Sequence, residues 1–545
     1  MPLTAGRGKA GLLLLCLALA GALAAYSPVF KAGYTNWDDP GYTFKNKAVQ
    51  ELSGANLKTL FTGLRLANYH PVTELSFAVS NSLFGERAGA HHAANLLLHL
   101  LNAALVFALL LRLSGRRAPA FAAALIWALH PVNVESVAWI AERKNLLYAF
   151  FYLAALIAYL RHLDAGGRKY YLAALALFLL ALGAKAAAVT LPLALLLAEA
   201  AAPGKRLGAD SVKRTLPFFA AAVFFTGLAV AAQSSEGRIL TARAPELLSF
   251  YLAKTVFPAG LSAVYPYGET LAAFKAAQLL YLIPALLFAG AFWAACLTNA
   301  AAAWGLAFFA VHILPYISLI PVGGIIAADR YLYLPAIGLI WAAVSAARAA
   351  LPDSRAARTA AGALVTALAL AAGAATLERA KVWTSSLDLW LNTLAKYPED
   401  ITANLNMGHA LLEAGERDAA AGRYLIVLEK NPAHADALYN LGTLYGQDGR
   451  HEEALPLLVK AVSVKPENAM AWNNLGLVYY SLKRAEDAQR AFRLAASIDP
   501  SSAAAFANLA ETEARLGDCA AARMHYAAAL ELGFPPAAAP MKNCR

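Results

Sequence analysis

The chain has 545 residues, of which 59% are hydrophobic and 15% charged, and its mean hydropathy is +0.50. That balance excludes an ordinary soluble globular protein and a disordered chain, both of which carry more charge. The net charge of +11 does not mark a nucleic-acid partner. Its basic residues are scattered in short clusters between apolar runs, at Arg112, Arg116 and Arg117, at Arg161, Arg168 and Lys169, at Lys205, Arg206, Lys213 and Arg214, and at Arg348, Arg355 and Arg358. Cytoplasmic loops of a polytopic membrane protein look like this.

Apolar runs near spanning length predict eleven spans, over roughly 10–28, 91–111, 118–130, 145–160, 169–184, 186–201, 215–232, 276–297, 303–320, 331–347 and 359–377. The first follows Arg7 and Lys9 and also fits a signal peptide with small residues at Ala22 and Ala24. Retained or cleaved, it delivers the next residues to the outer side. The stretch from Phe250 to Tyr267, with Lys254, Pro258 and Pro266, suits an interfacial or re-entrant segment. With positive loops inside, parity places 29–90, 131–144, 233–275, 321–330 and everything after 378 outside the cytoplasm.

The outer segments carry the ionisable residues. Trp37-Asp38-Asp39-Pro40 follows the first run, Tyr69-His70-Pro71-Val72 and Glu74 close that loop, and His91, His92, Asn95 and His99 open the second span. His130-Pro131-Val132 and Glu135 lead to Glu142-Arg143-Lys144-Asn145, Lys185 sits between the fifth and sixth spans, and Asp329-Arg330 precedes the tenth. Acids beside a bilayer are costly unless they are solvated or paired, so such positions are functional candidates; a turn closed by Pro40 is the plain alternative for Asp38 and Asp39. Arginine and lysine suit a phosphate, by two-pronged hydrogen bonds and by point charge, while ion pairing at helix ends is the plain reading of Glu142-Arg143 and Asp329-Arg330. Span interiors hold mainly Ala, Leu and Phe, which argues against a transport path.

After about residue 380 the composition changes, and a period of 34 links Pro398, Pro432, Pro466 and Pro500. It also links Asn406, Asn440, Asn474 and Asn508, then Gly408, Gly442 and Gly476 with Ala510, and Ala420, Ala454, Ala488 and Ala522. This is the tetratricopeptide beat, in which stacked helical hairpins form an α-solenoid. Lys483 stands where Gly415, Gly449 and Gly517 mark the other turns. The four asparagine amides are candidates to bind an extended acceptor, or else to satisfy neighbouring helices. The expected organisation is a membrane domain over 1–378 with an external loop at 29–90, a partial repeat over 379–397, repeats over 398–533 and a tail over 534–545. Cys519 and Cys544, joined through a turn at Pro535-Pro536, either form a disulfide or remain free thiols. No motif indicates a metal; a divalent ion at Asp39 is left open and no cofactor is expected.

These motifs, in this order, resemble the transmembrane and tetratricopeptide-repeat O-mannosyltransferases. Ala184-Lys185-Ala186 departs from that family's Ser-Lys-Glu-type motif. The resemblance implies an all-α protein, a class C membrane glycosyltransferase domain followed by repeats, that uses a polyprenyl-phosphate sugar and a protein acceptor outside the cytoplasm. In a bacterial chain that means the inner membrane with periplasmic repeats. On this reading Asp38 is the base and Asp39 tunes it or orients the acceptor. Arg143, Lys144, Lys185 and Arg330 hold the phosphate, and His70, His91, Glu135, Glu142 and Asp329 support the site. The rival reading is a non-catalytic membrane-anchored scaffold.

Overall fold

The computed structural model describes residues 16–64, 68–202, 204–232, 244–266, 280–317, 327–535 and 544. It is helical throughout those residues and divides into two compact units, 1–393 and 394–545. Arg7, Lys9, Pro536 and parts of the first, eighth and ninth expected spans lie outside the described residues.

In the first unit each expected span falls on a helix. Ala88–Ser114, Ile140–Ala165, Ala209–Ala232 and Arg355–Lys381 are each long and apolar enough to cross a bilayer, and Arg117–Ala128 with Pro131–Ala138 forms a further pair bent by 51°. Cys16–Ala25, Ala186–Ala201, Leu282–Thr298, Ala300–Tyr316 and Pro335–Ala350 are shorter apolar helices. Sequence punctuation explains the ends. Gly115 (φ 67°) and Gly166 (φ 65°) take the left-handed conformation that closes a helix, and the Ser354 side chain caps Arg355–Lys381. Where Ala300–Ile313 crosses Pro335–Ala350, a Cβ on Gly305 would lie 2.5 Å from the Gly338 carbonyl oxygen; glycines let these backbones touch.

Two features depart from the expected pattern. The span over 118–130 ends at Ala128, and His130-Pro131 turns the chain into a fully buried short helix and turn, Val134–Ala138 and Ile140–Glu142. Proline removes a donor and fixes φ, so the ladder cannot continue there. The loop 29–90, expected outside the cytoplasm, carries among its described residues a 14-residue helix Pro71–Phe84 that has proline in its first turn.

The second unit holds four helical hairpins: Ile401–Glu413 with Arg417–Lys430, Ala435–Gln447 with His451–Val464, Ala469–Ser481 with Ala485–Ile498, and Ala503–Leu516 with Cys519–Glu531. The first helices are capped by Asp400, His434, Asn468 and Ser502 in turn. The periodic glycines mark helix contacts: a Cβ on Gly408 would come within 2.5 Å of the Tyr424 ring, and one on Gly476 within 2.6 Å of the Phe492 ring. Lys483 adopts φ 61° where glycines occupy the equivalent turns. Cys519 and Cys544 form a disulfide. The two units divide at 393/394, so residues 379–393 of the segment expected as a partial repeat pack with the first unit: the Asn36 N–H donates to Ser386 Oγ (2.9 Å), and Trp390 Nε1–H donates to Asn36 Oδ1 (2.7 Å).

Candidate active site

The four segments that carry Asp38, Glu135 to Lys144, Lys185 and Arg330 meet in the first unit. Glu142, fully buried, is the hub. Its carboxylate lies 3.2 Å from Lys144 Nζ, 3.4 Å from Lys185 Nζ and 3.5 Å from Arg330 Nε. Glu135 takes the other side of Arg330, accepting from Nη1 at 2.5 Å and from the backbone N–H at 3.0 Å. Asn145 joins three strands of this network: its Oδ1 accepts from Lys185 Nζ (2.8 Å), and its Nδ2 donates to Ser136 Oγ and to the Arg330 carbonyl. Burial pulls the Lys185 amine down to about 8, with Glu142 opposing that shift.

Adjacent acids have opposite environments. Asp39 is fully buried; its Oδ2 accepts from the Thr35 N–H and Oγ–H, both at 2.8 Å, and its Oδ1 accepts from the Ala141 N–H at 2.8 Å. Burial pushes its carboxyl up to about 6 against those bonds. Both oxygens accept from protein donors, so Asp39 ties the loop that carries it to the turn before Glu142. Asp38 keeps its side chain 32% exposed, with Oδ2 3.8 Å from Lys144 Nζ.

Arg143 is turned inward. Its five N–H bonds go to Asn95 Oδ1, the Ser76 carbonyl, Ser80 Oγ, His91 Nδ1 and the His91 carbonyl, and its guanidinium lies over Phe77. That leaves no donor for a phosphate, and His91 serves Arg143. His70 supports from below: its Nδ1 meets Tyr42 Oη at 3.1 Å, and the Tyr42 ring lies 4.9 Å under Lys144 Nζ. Burial and the nearby lysines hold His70 down at about 3, so it is neutral. Asp329 accepts from Tyr265 Oη at 2.6 Å and lies 3.8 Å from Arg379 Nη2.

In the repeats the asparagines do not form a free ladder. Nδ2 of Asn440 meets His409 Nε2 (2.7 Å), Asn474 donates to Thr443 Oγ1 (2.9 Å) and Asn508 to Asn473 Oδ1 (2.9 Å), each on the preceding repeat, while Asn406 donates to its own Thr402 carbonyl. Stacked first helices bring these positions together, and a half-buried amide takes the nearest partner.

Sequence reasoning missed Asn145, Tyr42 and Arg379 as site partners, and it missed an indole cluster beside Asp38. Trp37 stacks on Trp139 (4.4 Å, 14°) and meets Trp390 edge-on (5.3 Å); Trp139 stacks in turn on Trp383 (5.7 Å). Trp383 sits in the turn after Arg355–Lys381 and Trp390 on the next helix, Ser386–Leu394, so no helical period signalled the cluster. Among the described residues no three His, Cys, Asp or Glu side chains gather as metal ligands.

Fold and cluster define a polytopic helical membrane protein with an ion-paired site on one set of loops and tetratricopeptide repeats after it. Residues 69–232 match the family profile described as dolichyl-phosphate-mannose-protein mannosyltransferase, and 405–462 and 441–503 match a tetratricopeptide repeat profile. The chain is related to the protein O-mannosyl-transferases that its motifs resemble. It is 36% identical to protein O-mannosyl-transferase TMTC1 of Mus musculus over 100 residues, 18% of this chain and 11% of that one. It is 28% identical to protein O-mannosyl-transferase Tmtc1 of Drosophila melanogaster over 209 residues, 36% and 24% of the two chains. The chain thus spans a tenth to a quarter of the length of these curated relatives. Among solved structures, MamA 41-end from Desulfovibrio magneticus RS-1 is 26% identical, covering 27% of this chain and 83% of that one with a TM-score of 0.26, too low to carry an argument.

Proposed function

We propose that the chain is a membrane glycosyltransferase that moves a hexose, mannose by analogy with its relatives, from a polyprenyl-phosphate donor to hydroxyl groups of protein acceptors. The observation that carries this is Asp38: a part-exposed carboxylate 3.8 Å from Lys144, at the mouth of an otherwise buried cluster. The acceptor oxygen attacks the anomeric carbon, its proton passes to Asp38, and the bond from that carbon to the phosphate oxygen breaks, releasing polyprenyl phosphate. Lys144, Lys185 and Arg330 take the phosphate charge. These three cations face Glu135, Glu142 and Asp38, so an arriving phosphate draws Lys144 from Asp38 and leaves that carboxylate as the base.

The reaction is placed on the non-cytoplasmic face, the periplasmic side of the inner membrane for a bacterial chain. The positive-loop parity supports this, as does the Cys519–Cys544 bridge, since disulfides persist in oxidising compartments. The repeats recruit the acceptor and raise its local concentration.

The test incubates purified wild-type and Asp38→Asn protein with labelled polyprenyl-phosphate hexose and periplasmic proteins. Loss of a general base lowers the rate by about 100- to 10,000-fold, with the thermal midpoint unchanged. Equal transfer by both removes Asp38 as base; no transfer by wild type favours the scaffold reading.

A further inference from the structure

Four tryptophans meet at this site, and one differs from the others. Trp139 is 1% exposed and Trp383 and Trp390 are 0%, whereas Trp37 is only half-buried. It is nevertheless held: one face lies parallel on Trp139 at 4.4 Å, and its edge abuts Trp390 at 5.3 Å. Trp390 is fixed by its bond to Asn36 Oδ1, and Trp139 is backed by Trp383. Three buried indoles therefore support a fourth that keeps exposed surface, an arrangement that removes the ordering cost a ligand would otherwise meet.

We propose that the Trp37 indole is a carbohydrate platform on which the hexose ring of the lipid-linked donor stacks. The proposal rests on the function above and names the part of the site that reads the sugar. Its position follows from the reaction geometry. Asp38, the next residue, must lie within hydrogen-bond reach of the oxygen attacking the anomeric carbon, so the sugar lies a few ångströms from Trp37. The cations lie close to the same indole stack: the Arg330 guanidinium is 5.9 Å from the centre of the Trp37 ring and 5.3 Å from that of Trp139, and Lys144 Nζ is 5.7 Å from that of Trp139. Phosphate at the cations and acceptor at Asp38 leave the sugar between them, beside the indole. A hexose ring presents C–H bonds on its faces, and their slight positive charge complements the negative face of an aromatic ring. An indole serving the bilayer interface would occupy the same exposed surface with no preference for sugar, which makes the two roles separable.

The experiment measures binding of polyprenyl-phosphate hexose and of sugar-free polyprenyl phosphate to the full-length chain in detergent, for wild type, Trp37→Ala and Trp37→Phe, with transfer kinetics in parallel. Wild type prefers the sugar-bearing lipid. Trp37→Ala weakens that lipid by about tenfold, leaves the sugar-free lipid within about twofold, and raises the donor KM more than it lowers kcat; Trp37→Phe, which keeps a ring, recovers most of the preference. Equal weakening of both lipids, unaltered binding of both, or a wild type that does not distinguish them overturns the platform. A wild type that distinguishes the lipids and transfers nothing keeps the platform and overturns the transferase. Trp37→Phe with wild-type melting and no sugar preference also counts against it, because phenylalanine keeps an aromatic face in a folded site and a stacking platform would still read the sugar.

Discussion

The two units place charge in opposite ways. The membrane unit buries Glu135, Glu142, Lys144 and Arg330 together, whereas the repeats hold their ion pairs at the surface, as in Arg450–Glu453 and Lys465–Asp436. Glu513 is an exception in the repeats, fully buried with His525 at 2.7 Å and Arg493 at 3.5 Å. Surface pairs contribute little to stability. A buried cluster is weak evidence for stability and strong reason to look for function, because desolvation offsets most of its Coulomb gain.

The comparison breaks first at the hub. Glu142→Gln leaves Lys144 and Lys185 facing a neutral amide and costs about 3–5 kcal/mol, read as a large fall in the thermal midpoint in detergent; Glu453→Gln in the repeats is expected to change it by under about 1 kcal/mol. An unchanged midpoint for Glu142→Gln means that the cluster is wet and its charges are not truly buried.

Asp39 sharpens the same contrast through pH. Its folded carboxyl is raised from 3.8 to about 6 by burial, so its contribution is fully present below the unfolded value and is lost as pH rises through about 6. That loss is about 3 kcal/mol, and the curve is flat above. Melting wild type and Asp39→Asn between pH 4 and pH 8 checks this: the wild-type midpoint falls, relative to the variant, between pH 4 and about 6. A gap that does not vary with pH removes the reading of Asp39 as a buried tether.

The smallest effect belongs to packing in the repeats. Gly476→Ala puts a methyl group 2.6 Å from the Phe492 ring and costs about 1–3 kcal/mol. Hydrogen exchange should localise the loss to Ala469–Ser481 and Ala485–Ile498 and leave the Glu142 cluster protected. Loss of protection in both units would show that they unfold together.

Much of the fold was legible because its signals are local. The 34-residue beat needs only neighbouring hairpins, and the hairpins appear where Pro398 to Pro500 set them. The charged motifs of the outer loops were legible as a set, and Lys144, Lys185 and Arg330 do converge on Glu142. Their individual tasks were not. Asp38 and Asp39 are identical in type and adjacent in sequence, and only the Thr35 and Ala141 donors separate them. Arg143 and Lys144 look like a pair, yet neighbouring positions on a helix point about 100° apart, and Arg143 turns to Asn95 and His91. The asparagines admitted two readings because sequence cannot show that the preceding repeat brings His409, Thr443 and Asn473 within reach.

By itself the sequence determined the membrane class, the helical architecture, the repeat array and the loops that carry the charged motifs, since hydropathy, charge bias and periodicity are properties of short windows. Tertiary structure alone decided which acid faces solvent, which arginine is sequestered, and that Trp390 abuts Trp37 while Trp383 backs Trp139. Burial and hydrogen-bond competition depend on distant segments arriving together, and no local pattern encodes which donor arrives first.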